Sequence, residues 1–278
     1  MTSSPSAPMP AYFVSHGGPN LLDDADYPPA HPVSQGMRRI GQDILAHRPR
    51  AMLVVSAHWQ SPTRTGLQIN TKSPEPHPLI YDFGGFADWL FREQFAYTPD
   101  PGFSAEVADL VRSAGISTDQ VDRGFDHGVW VVLKKAGLDN APFPIVQMSL
   151  FAHESMPAHV RLGEILEPLR HSGVVIVGSG MAVHNLRDLF TSRSSGVRSY
   201  VDPFDKEIEA AVLKPVGKDR NAALEALEHS DLLRRAHPSL DHLLPLHVAA
   251  GAATGASTPE KLFDHYELSL SWSCYKLS

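Results

Sequence analysis

The chain has 278 residues, an apolar fraction of 42%, a charged fraction of 20% and a formal net charge of -7, values typical of a globular protein. The negative charge argues against a nucleic-acid partner, because phosphate binding needs clustered lysine and arginine. The single cysteine, Cys274, excludes a disulfide framework and a thiolate metal cluster, so we expect a cytoplasmic protein whose partners are small molecules.

The first ten residues, MTSSPSAPMP, contain neither the basic nor the apolar region of a signal peptide. We therefore predict that residues 1–10 are a flexible lead-in to a single domain over residues 11–278. No run approaches the roughly 18 apolar residues that a membrane span needs. A membrane partner is accordingly not expected, and the oligomeric state is left open.

Continuous apolar runs bounded by glycine, proline or polar residues predict buried strands of the kind found in parallel sheets. They lie at 11–14, 51–57, 143–150 and 173–178, with a last strand at about 264–276. Helical periodicity predicts helices at 33–48, 104–114 and 158–171, and further helices within 201–252. This alternation predicts an α/β fold, a single domain whose central, mostly parallel or mixed sheet is flanked by helices. A ligand site is expected at the carboxyl edge of the strands.

The stretch 60–102 is long and rich in proline and glycine, and it contains IYDFGGF. A loop of this length in a compact domain is more often functional than a linker, so we expect it to pack over the site. Together with 186–200 it should decide which substrates fit.

Histidines recur where the predicted strands end. His16 follows the first strand, His58 follows the second, and His184 follows the strand IVG after the loop GSGMA. His127 in GFDHGVW and His242 in LDHLLPL stand in similarly unusual contexts. Neutral imidazole is the commonest metal ligand in proteins. Histidines from distant parts of the chain that converge at one sheet edge therefore predict a metal site.

Each of these histidines also has a structural interpretation. His58 could pack beside the indole of Trp59, and His184 could begin the helix HNLRDLF. Asp126 and Asp241 precede two of the histidines, but successive helical residues point about 100° apart and need not touch the same ion. We expect two other histidines, His237 and His247, to be candidate pocket walls. The rest are expected at the surface, namely His31, His47, His77, His153, His159, His171, His229 and His265.

Competing chemistries have weaker signals. The segment GSG at 178–180 has the wrong spacing for the G-x-S-x-G turn of a serine hydrolase. Neither G-x-G-x-x-G nor a Walker sequence is present, so no nucleotide or flavin cofactor is predicted. The H-E-x-x-H arrangement of zinc proteases is also missing from the sequence.

Seven segments, taken in order, resemble the 4,5-DOPA extradiol dioxygenase family of the LigB-type, or class III, superfamily of ring-cleaving dioxygenases. They are SHGGPN, VVSAHW, YDFGGF, GFDHGVWVVL, PIVQMSL, IVGSGMAVHNLR and DHLLPL. The resemblance runs from residue 12 to about residue 252. One departure is Gly18, where many relatives have serine, and we do not expect this change alone to abolish activity.

The resemblance implies a metal site at His16, His58 and His242. It makes His184 either a fourth ligand or the acid/base beside the metal, and it makes His127 a pocket residue that contacts substrate or shuttles protons. The cofactor is expected to be one divalent ion. Iron suits dioxygenase chemistry but usually has two histidines and one carboxylate, whereas an all-histidine site also suits zinc.

Three functions remain open at this point. The first is extradiol opening of a catechol by O2, with DOPA or a similar dihydroxyphenyl compound as substrate class. The second is a zinc-dependent hydrolase that uses the same histidines. The third is a non-catalytic relative that retains the pocket for ligand binding.

Overall fold

The computed structural model describes residues 7–191, 196–253 and 258–278. Residues 1–6 of the predicted lead-in lie outside the described residues. The Met9 N–H donates to the Arg170 carbonyl at 3.1 Å, and the Arg170 guanidinium donates to the Met9 carbonyl. The chain is therefore anchored two residues before the first strand begins.

The strands of the described chain form one eight-stranded sheet and one three-stranded sheet. They are β1 (Ala11–Ser15), β2 (Ala51–Gln60), β3 (Leu67–Ile69), β4 (Thr118–Gln120), β5 (Ile145–Leu150), β6 (Val174–Gly180), β7 (Val183–His184), β8 (Glu260–Phe263), β9 (Tyr266–Glu267), β10 (Leu270–Ser271) and β11 (Cys274–Leu277). The large sheet has the order β4-β3-β5-β2-β6-β1-β11-β8, and the small sheet has the order β7-β10-β9.

The centre of the large sheet is parallel. Strands β5, β2, β6 and β1 pair in parallel, whereas β11 pairs antiparallel with both β1 and β8, and β3 pairs antiparallel with β5. Every residue of β1, β5 and β6 is buried, which explains why their sequences are continuous apolar runs rather than alternating ones. The predicted single α/β domain with a mixed central sheet is confirmed.

Helices cover both faces of this sheet. They are α1 (Pro32–Ala46), α2 (Pro101–Ser113), α3 (His127–Lys135), α4 (Met156–Leu166), α5 (Pro168–His171), α6 (Leu186–Thr191), α7 (Val201–Val212), α8 (Lys218–Glu225), α9 (Leu233–Ala236) and α10 (Leu244–Ala252). Helices α1 and α3 pack with Tyr12 and Val14 of β1 on one face, and α2, α4, α7 and α10 pack with Phe13 on the other. Within the described ranges, no helix combines the length and apolarity needed to cross a bilayer.

Two predicted elements are divided in the structure. The helix expected at 158–171 is interrupted at Pro168, because proline has no N–H to donate within a helix. The strand expected at about 264–276 is three short strands, β9, β10 and β11, with Leu268 in the left-handed conformation (φ 50°) at the turn between the first two. The small sheet that results brings β7 beside β10.

Candidate metal centre

Five histidines from distant parts of the chain meet at one edge of the large sheet. His16 directly follows β1, His58 lies near the end of β2, His127 begins α3, His184 ends β7, and His242 precedes α10. The ring centres of His58 lie 5.1 Å from His16, 4.0 Å from His127 and 4.9 Å from His242. The sequence-predicted histidines thus form a single cluster, which we call the histidine cluster.

Hydrogen bonds fix the tautomer of His16. Its Nδ1 lies 2.9 Å from the Ser179 hydroxyl, and that hydroxyl donates its only hydrogen to the Gly128 carbonyl at 2.5 Å. The hydroxyl must therefore accept from His16, so Nδ1 carries the proton of the neutral ring. The Nε2 atom of His16 is left with a lone pair that points into the cluster.

Carboxylates act in the same way on three other rings. Asp241 lies 2.6 Å from His242 Nδ1, and the two oxygens of Asp82 lie 2.8 Å from His127 Nδ1 and 3.3 Å from His58 Nδ1. A carboxylate only accepts hydrogen bonds, so each Nδ1 carries a proton and each Nε2 is a free base. Metal-binding histidines characteristically have such a partner on the second ring nitrogen.

These tautomers fit a divalent cation. The Nε2 atoms of His16 and His58 are only 3.0 Å apart, although neither carries a proton in the tautomers that their partners select. Ligand atoms of His16, His58 and His127 all lie within 4.8 Å of one another. His242, the third ligand that the resemblance implies, is not part of this group, and its ring centre lies 5.3 Å from that of His16 and 4.9 Å from that of His58. Lone pairs this close repel unless a proton or a metal ion lies between them, so the donor set is suited to an ion such as Fe²⁺ or Zn²⁺.

Burial favours the neutral form of four rings of the cluster, those of His16, His58, His184 and His242. Burial, followed by the neighbouring imidazoles, holds the pKa of His16 and of His242 well below the usual value. Burial also lowers the pKa of His58 and of His184 to about 4. Burial alone would raise the pKa of Asp82, but hydrogen bonds and charge from His127 lower it to about 2. The rings can therefore serve as ligands or proton acceptors without first losing a proton.

His184 takes a different position from the other rings. Its ring stacks on His242 with centres 3.6 Å apart and planes inclined by 13°. An imidazole binds a metal through a lone pair in the ring plane, so an ion in the plane of His242 lies outside the plane of His184. Coordination by both rings would require one of them to rotate.

Two glycines allow the elements of the site to approach each other. A Cβ atom on Gly128 would lie 2.6 Å from Ser56 Oγ, 2.9 Å from His58 Cδ2 and 3.0 Å from His16 Cε1. A Cβ atom on Gly180 would lie 2.1 Å from the His242 carbonyl oxygen. The first glycine leaves room for two rings of the cluster, and the second lets the segment before α10 rest on β6.

A cavity of about 600 Å³ opens above the histidine cluster. Its wall is mainly apolar and aromatic, and it includes Phe83, Phe86, Met181, Phe190 and Trp272. As expected, the stretch 60–102 packs over the site, and α6 contributes to the mouth, where Phe190 is 77% exposed. Of the second predicted specificity loop, residues 192–195 lie outside the described residues. This shape suits a small aromatic ligand.

Gly18 accounts for one detail of the cavity wall. A Cβ atom at this position would meet Phe86 Cζ and Asn20 Oδ1 at 3.0 Å each. Its backbone conformation, φ -65° and ψ 175°, is open to any residue. The glycine therefore matters for the close approach of Phe86 and not for the fold of the turn.

Several residues that support the cluster were not singled out in the sequence. Asp82 lies within the YDFGGF segment, and Ser179 lies within the GSG segment, whose spacing only argues against a serine hydrolase. Asp241, for which the sequence required no contact with an ion, bonds to Nδ1 of the adjacent His242. Asp126 instead accepts hydrogen bonds from Ser56, Arg123 and Gln147.

Three histidines lie elsewhere than the sequence suggested. His159, expected at the surface, is fully buried, and its Nδ1 donates to the Ser155 carbonyl at 2.7 Å. His237 and His247, expected as pocket walls, are fully buried in the core and do not line the cavity. The carbonyls of Ala182, Leu243 and Leu224 lie within hydrogen-bond distance of these two rings.

Comparison with known proteins gives a consistent result. A family model described as the catalytic LigB subunit of aromatic ring-opening dioxygenase matches residues 10–273. The chain is 32% identical to a 4,5-DOPA dioxygenase extradiol of Beta vulgaris, over 96% of each chain, and 31% identical to one of Escherichia coli K12, over 90% of this chain and 87% of the relative. It is 35% identical to the dioxygenase tasH of Hapsidospora irregularis, over 88% and 78% of the two chains. The crystal structure of an uncharacterized Escherichia coli K12 protein, JW3007, superposes with a TM-score of 0.77 at 26% identity, over 97% of this chain and all of the other.

Proposed function

The chain belongs to the LigB family of aromatic ring-opening dioxygenases, and we propose that it opens the ring of a catechol with dioxygen, outside the two hydroxyl groups. The proposed site holds one divalent metal ion through His16, His58 and His242. A bound ferrous ion would supply the electron exchange with dioxygen and the positive charge that holds both catechol oxygens.

The observation that carries this proposal is the set of imidazoles whose Nδ1 atoms are all occupied. Ser179, Asp82 and Asp241 bind these nitrogens, and the opposite nitrogens are left as bases beside an aromatic-lined cavity. A histidine with only a packing role does not need its second ring nitrogen to converge with those of other rings. The arrangement therefore supports a metal site rather than a packing role.

His184 is proposed as the acid/base that receives a catechol proton. Its ring is neutral near pH 7, since burial lowers its pKa to about 4, and it lines the cavity. The stacking on His242 favours this role over that of a fourth ligand, because two nearly parallel stacked rings do not direct their in-plane lone pairs at the same point. General acid/base catalysis of this kind contributes about 10²–10⁴ in rate.

His127 is proposed to hold or return a proton at the ring being opened. Its backbone N–H and Nδ1 both donate to Asp82, at 3.0 Å and 2.8 Å, so its other nitrogen faces the cluster. Asp82 thus holds the ring so that its other nitrogen, beside the cavity, can take up a proton and return it to the substrate.

The aromatic wall is proposed to orient the substrate and exclude water. Phe83 packs edge-on against His127, with ring centres 5.8 Å apart, which places a phenyl ring beside the cluster. Phe86 and Trp272 complete this part of the wall. Because the relatives include proteins named 4,5-DOPA dioxygenase extradiol, a DOPA-like dihydroxyphenyl compound is the proposed substrate class.

A zinc-dependent hydrolase is the second candidate function. The observation in its favour is that the cluster offers imidazole ligands, with its carboxylates bound to the Nδ1 atoms behind the rings. Such a donor set suits zinc, which does not exchange electrons with dioxygen. Hydrolysis of an ester or amide that continues without oxygen would favour this function.

Anaerobic reconstitution tests the proposal. The protein would be loaded with Fe²⁺ without oxygen, mixed with a panel of catechols that includes DOPA, and then exposed to air. We expect oxygen uptake and a yellow ring-opened product only after air is admitted, and no turnover by the zinc-loaded protein. If no catechol gives product with iron while the zinc-loaded protein hydrolyses esters, the second function is the correct one.

A further inference from the structure

Glu267 lies in the wall of the cavity, on the same face of the small sheet as His184. Leu270 of β10 pairs directly with His184 of β7 on one side and with Glu267 of β9 on the other. Directly paired residues of antiparallel strands point to the same face, and all three residues line the cavity. Two strand spacings put the Cα atoms of His184 and Glu267 about 10 Å apart.

The Glu267 carboxylate is held firmly by two neighbours in the cavity wall. One of its oxygens, Oε2, accepts hydrogen bonds from the Tyr27 hydroxyl and the Trp272 indole N–H, each at 2.9 Å. Burial, together with the charge of Glu267, raises the pKa of Tyr27, so the phenol remains a donor. The carboxylate is therefore oriented by two donors, neither of which is a cation.

No lysine or arginine forms an ion pair with this carboxylate within the described part of the chain. No lysine or arginine lines the cavity, and Glu267 forms no ion pair within 4.0 Å. The other carboxylate of the cavity, Asp82, is already bound to His127 and His58. Of the two carboxylates that line the cavity, Glu267 is thus the one that is not bound to the histidine cluster.

Two histidines stand close to Glu267 but outside the cavity. The ligand atoms of His31 and His265 lie within 4.8 Å of the carboxylate. The Nδ1 atom of His31 already accepts the Val33 N–H at the start of α1, and burial lowers its pKa, so this ring is a neutral helix cap. The cavity side of Glu267 remains open to a ligand.

We propose that Glu267 is a binding subsite for the ammonium group of a catechol amine, so that this protein selects catechols with a cationic side chain over those with an anionic one. The inference rests on the proposed function, since it assumes that the catechol oxygens sit at the histidine cluster. In an extended phenylethylamine the nitrogen lies about 8 Å from the more distant ring oxygen, by ordinary bond lengths. That span is of the same order as the distance of about 10 Å between the Cα atoms of His184 and Glu267 across the small sheet.

The same geometry penalises an acidic side chain. A carboxylate in this position would face Glu267 and Asp82 in a cavity with apolar walls, where like charges repel more strongly than in water. A zwitterionic side chain would gain the ammonium contact but bring its own carboxylate into the cavity. The expected order of preference is therefore amine, then amino acid, then acid.

Binding to the iron-loaded protein without oxygen measures this preference directly, whether or not ring opening follows. The probes are dopamine, DOPA and 3-(3,4-dihydroxyphenyl)propionate, with 4-methylcatechol as the uncharged reference. We expect dopamine to bind about tenfold or more tightly than the propionate after each is normalised to 4-methylcatechol. Equal binding of the amine and the acid, a preference for the acid, or no binding of dopamine would overturn the inference.

A matched pair of variants assigns the preference to one carboxylate. Glu267→Gln retains an acceptor for Tyr27 and Trp272 but removes the charge, and it should shrink the ratio of dopamine to propionate binding about tenfold. Glu260→Gln makes the same change at an exposed position of β8 and should leave the ratio as in the wild type. An unchanged ratio in Glu267→Gln would assign the preference to another group and overturn the role of Glu267.

Admitting air to the same samples separates the two proposals. Charge-selective binding without any ring opening would contradict the proposed function but support the subsite. Ring opening of 4-methylcatechol without charge selectivity would support the proposed function and overturn the subsite.

Discussion

The protein buries histidines in two regions, and the two sets differ in what holds their nitrogens. In the histidine cluster, each Nδ1 of His16, His58, His127 and His242 faces a hydroxyl or carboxylate, and the opposite nitrogens converge. In the core beside α10, the backbone carbonyls of Ser155, Ala182, Leu243 and Leu224 bind the rings of His159, His237 and His247. The second set is the more deeply buried one.

This difference shows that burial does not identify a metal ligand. Burial lowers the pKa of His159 and of His237 to about 3, lower than the values of about 4 for His58 and His184. The core rings nevertheless leave one nitrogen without a partner, at His159 Nε2 and His237 Nδ1, and these atoms do not meet. What indicates a metal site is that several rings have Nδ1 bound to an acceptor while their Nε2 atoms point to one place.

The largest difference should appear when one ring of each set is replaced. His58→Gln removes a proposed ligand and should abolish metal binding and nearly all activity. His237→Gln removes a hydrogen bond to the Ala182 carbonyl and should lower the free energy of unfolding by about 1–3 kcal/mol while the metal stays bound. Metal content and thermal unfolding of both variants provide the check. Equal metal loss in the two variants would remove the distinction between the regions.

Within the cluster, His184 should behave differently from the proposed ligands. His184→Gln should retain the metal but lower kcat by about 10²–10⁴, because it removes the proton acceptor and not a ligand. The measurement is metal content together with kcat for the same preparation. Loss of the metal in this variant would show that His184 is a ligand and that its stacking on His242 does not persist when the ion binds.

Whether the rings need the close approach at Gly128 can be tested without replacing a histidine. Gly128→Ala would place a methyl group within 3.0 Å of Ser56, His58 and His16, and should reduce activity about 10²-fold by displacing the two rings. Gly102→Ala in α2 is the control, since its nearest neighbour is Asp100 Oδ1 at 3.2 Å. Comparable activity of the two variants would mean that the close approach at Gly128 has no catalytic consequence.

The smallest expected effect is the response to acid. Each set contains histidines whose folded-state pKa lies below the ordinary value of about 6.5, namely His58 at about 4 and His237 at about 3. The unfolded chain therefore binds more protons between about pH 6.5 and pH 3–4. The free energy of unfolding of the metal-free protein should therefore fall as the pH is lowered through this window, by up to about 3 kcal/mol for His58 alone.

Bound metal should raise the free energy of unfolding near pH 7. This stabilisation should disappear in acid, because protons compete with the ion for the cluster. Urea unfolding at pH 7 and pH 5, with and without metal, measures both contributions, and a metal effect that does not depend on pH would contradict the assignment.

Much of the fold could be predicted from local sequence. The runs around Phe13, Leu53 and Ile176 are continuously apolar because their strands are covered on both faces, and the structure contains strands at these positions. Helix α3 was missed because it is buried on nearly all sides and so has no clear polar face. Strands β3 and β4 were missed because three residues are too few to show a period.

The sequence predicted which histidines form the site but not their hydrogen-bond partners or the arrangement of their rings. His16, His58 and His184 stood out because each follows a predicted strand, whereas the partners Asp82 and Ser179 are fixed only by tertiary contacts. The burial of His159 was indicated by helical spacing, since Leu162 and Leu166 follow it at i+3 and i+7 on the buried face of α4. The stacking of His184 on His242 depends on the small sheet, which the sequence had suggested as a single strand.

Anomalous diffraction from crystals of the iron-loaded protein would test the central claim most directly. The account predicts one strong peak per chain, with the Nε2 atoms of His16, His58 and His242 about 2.0–2.2 Å from the ion and the Nδ1 atoms still bound to Ser179, Asp82 and Asp241. A peak at another site, or an ion that these three nitrogens do not share, would contradict it.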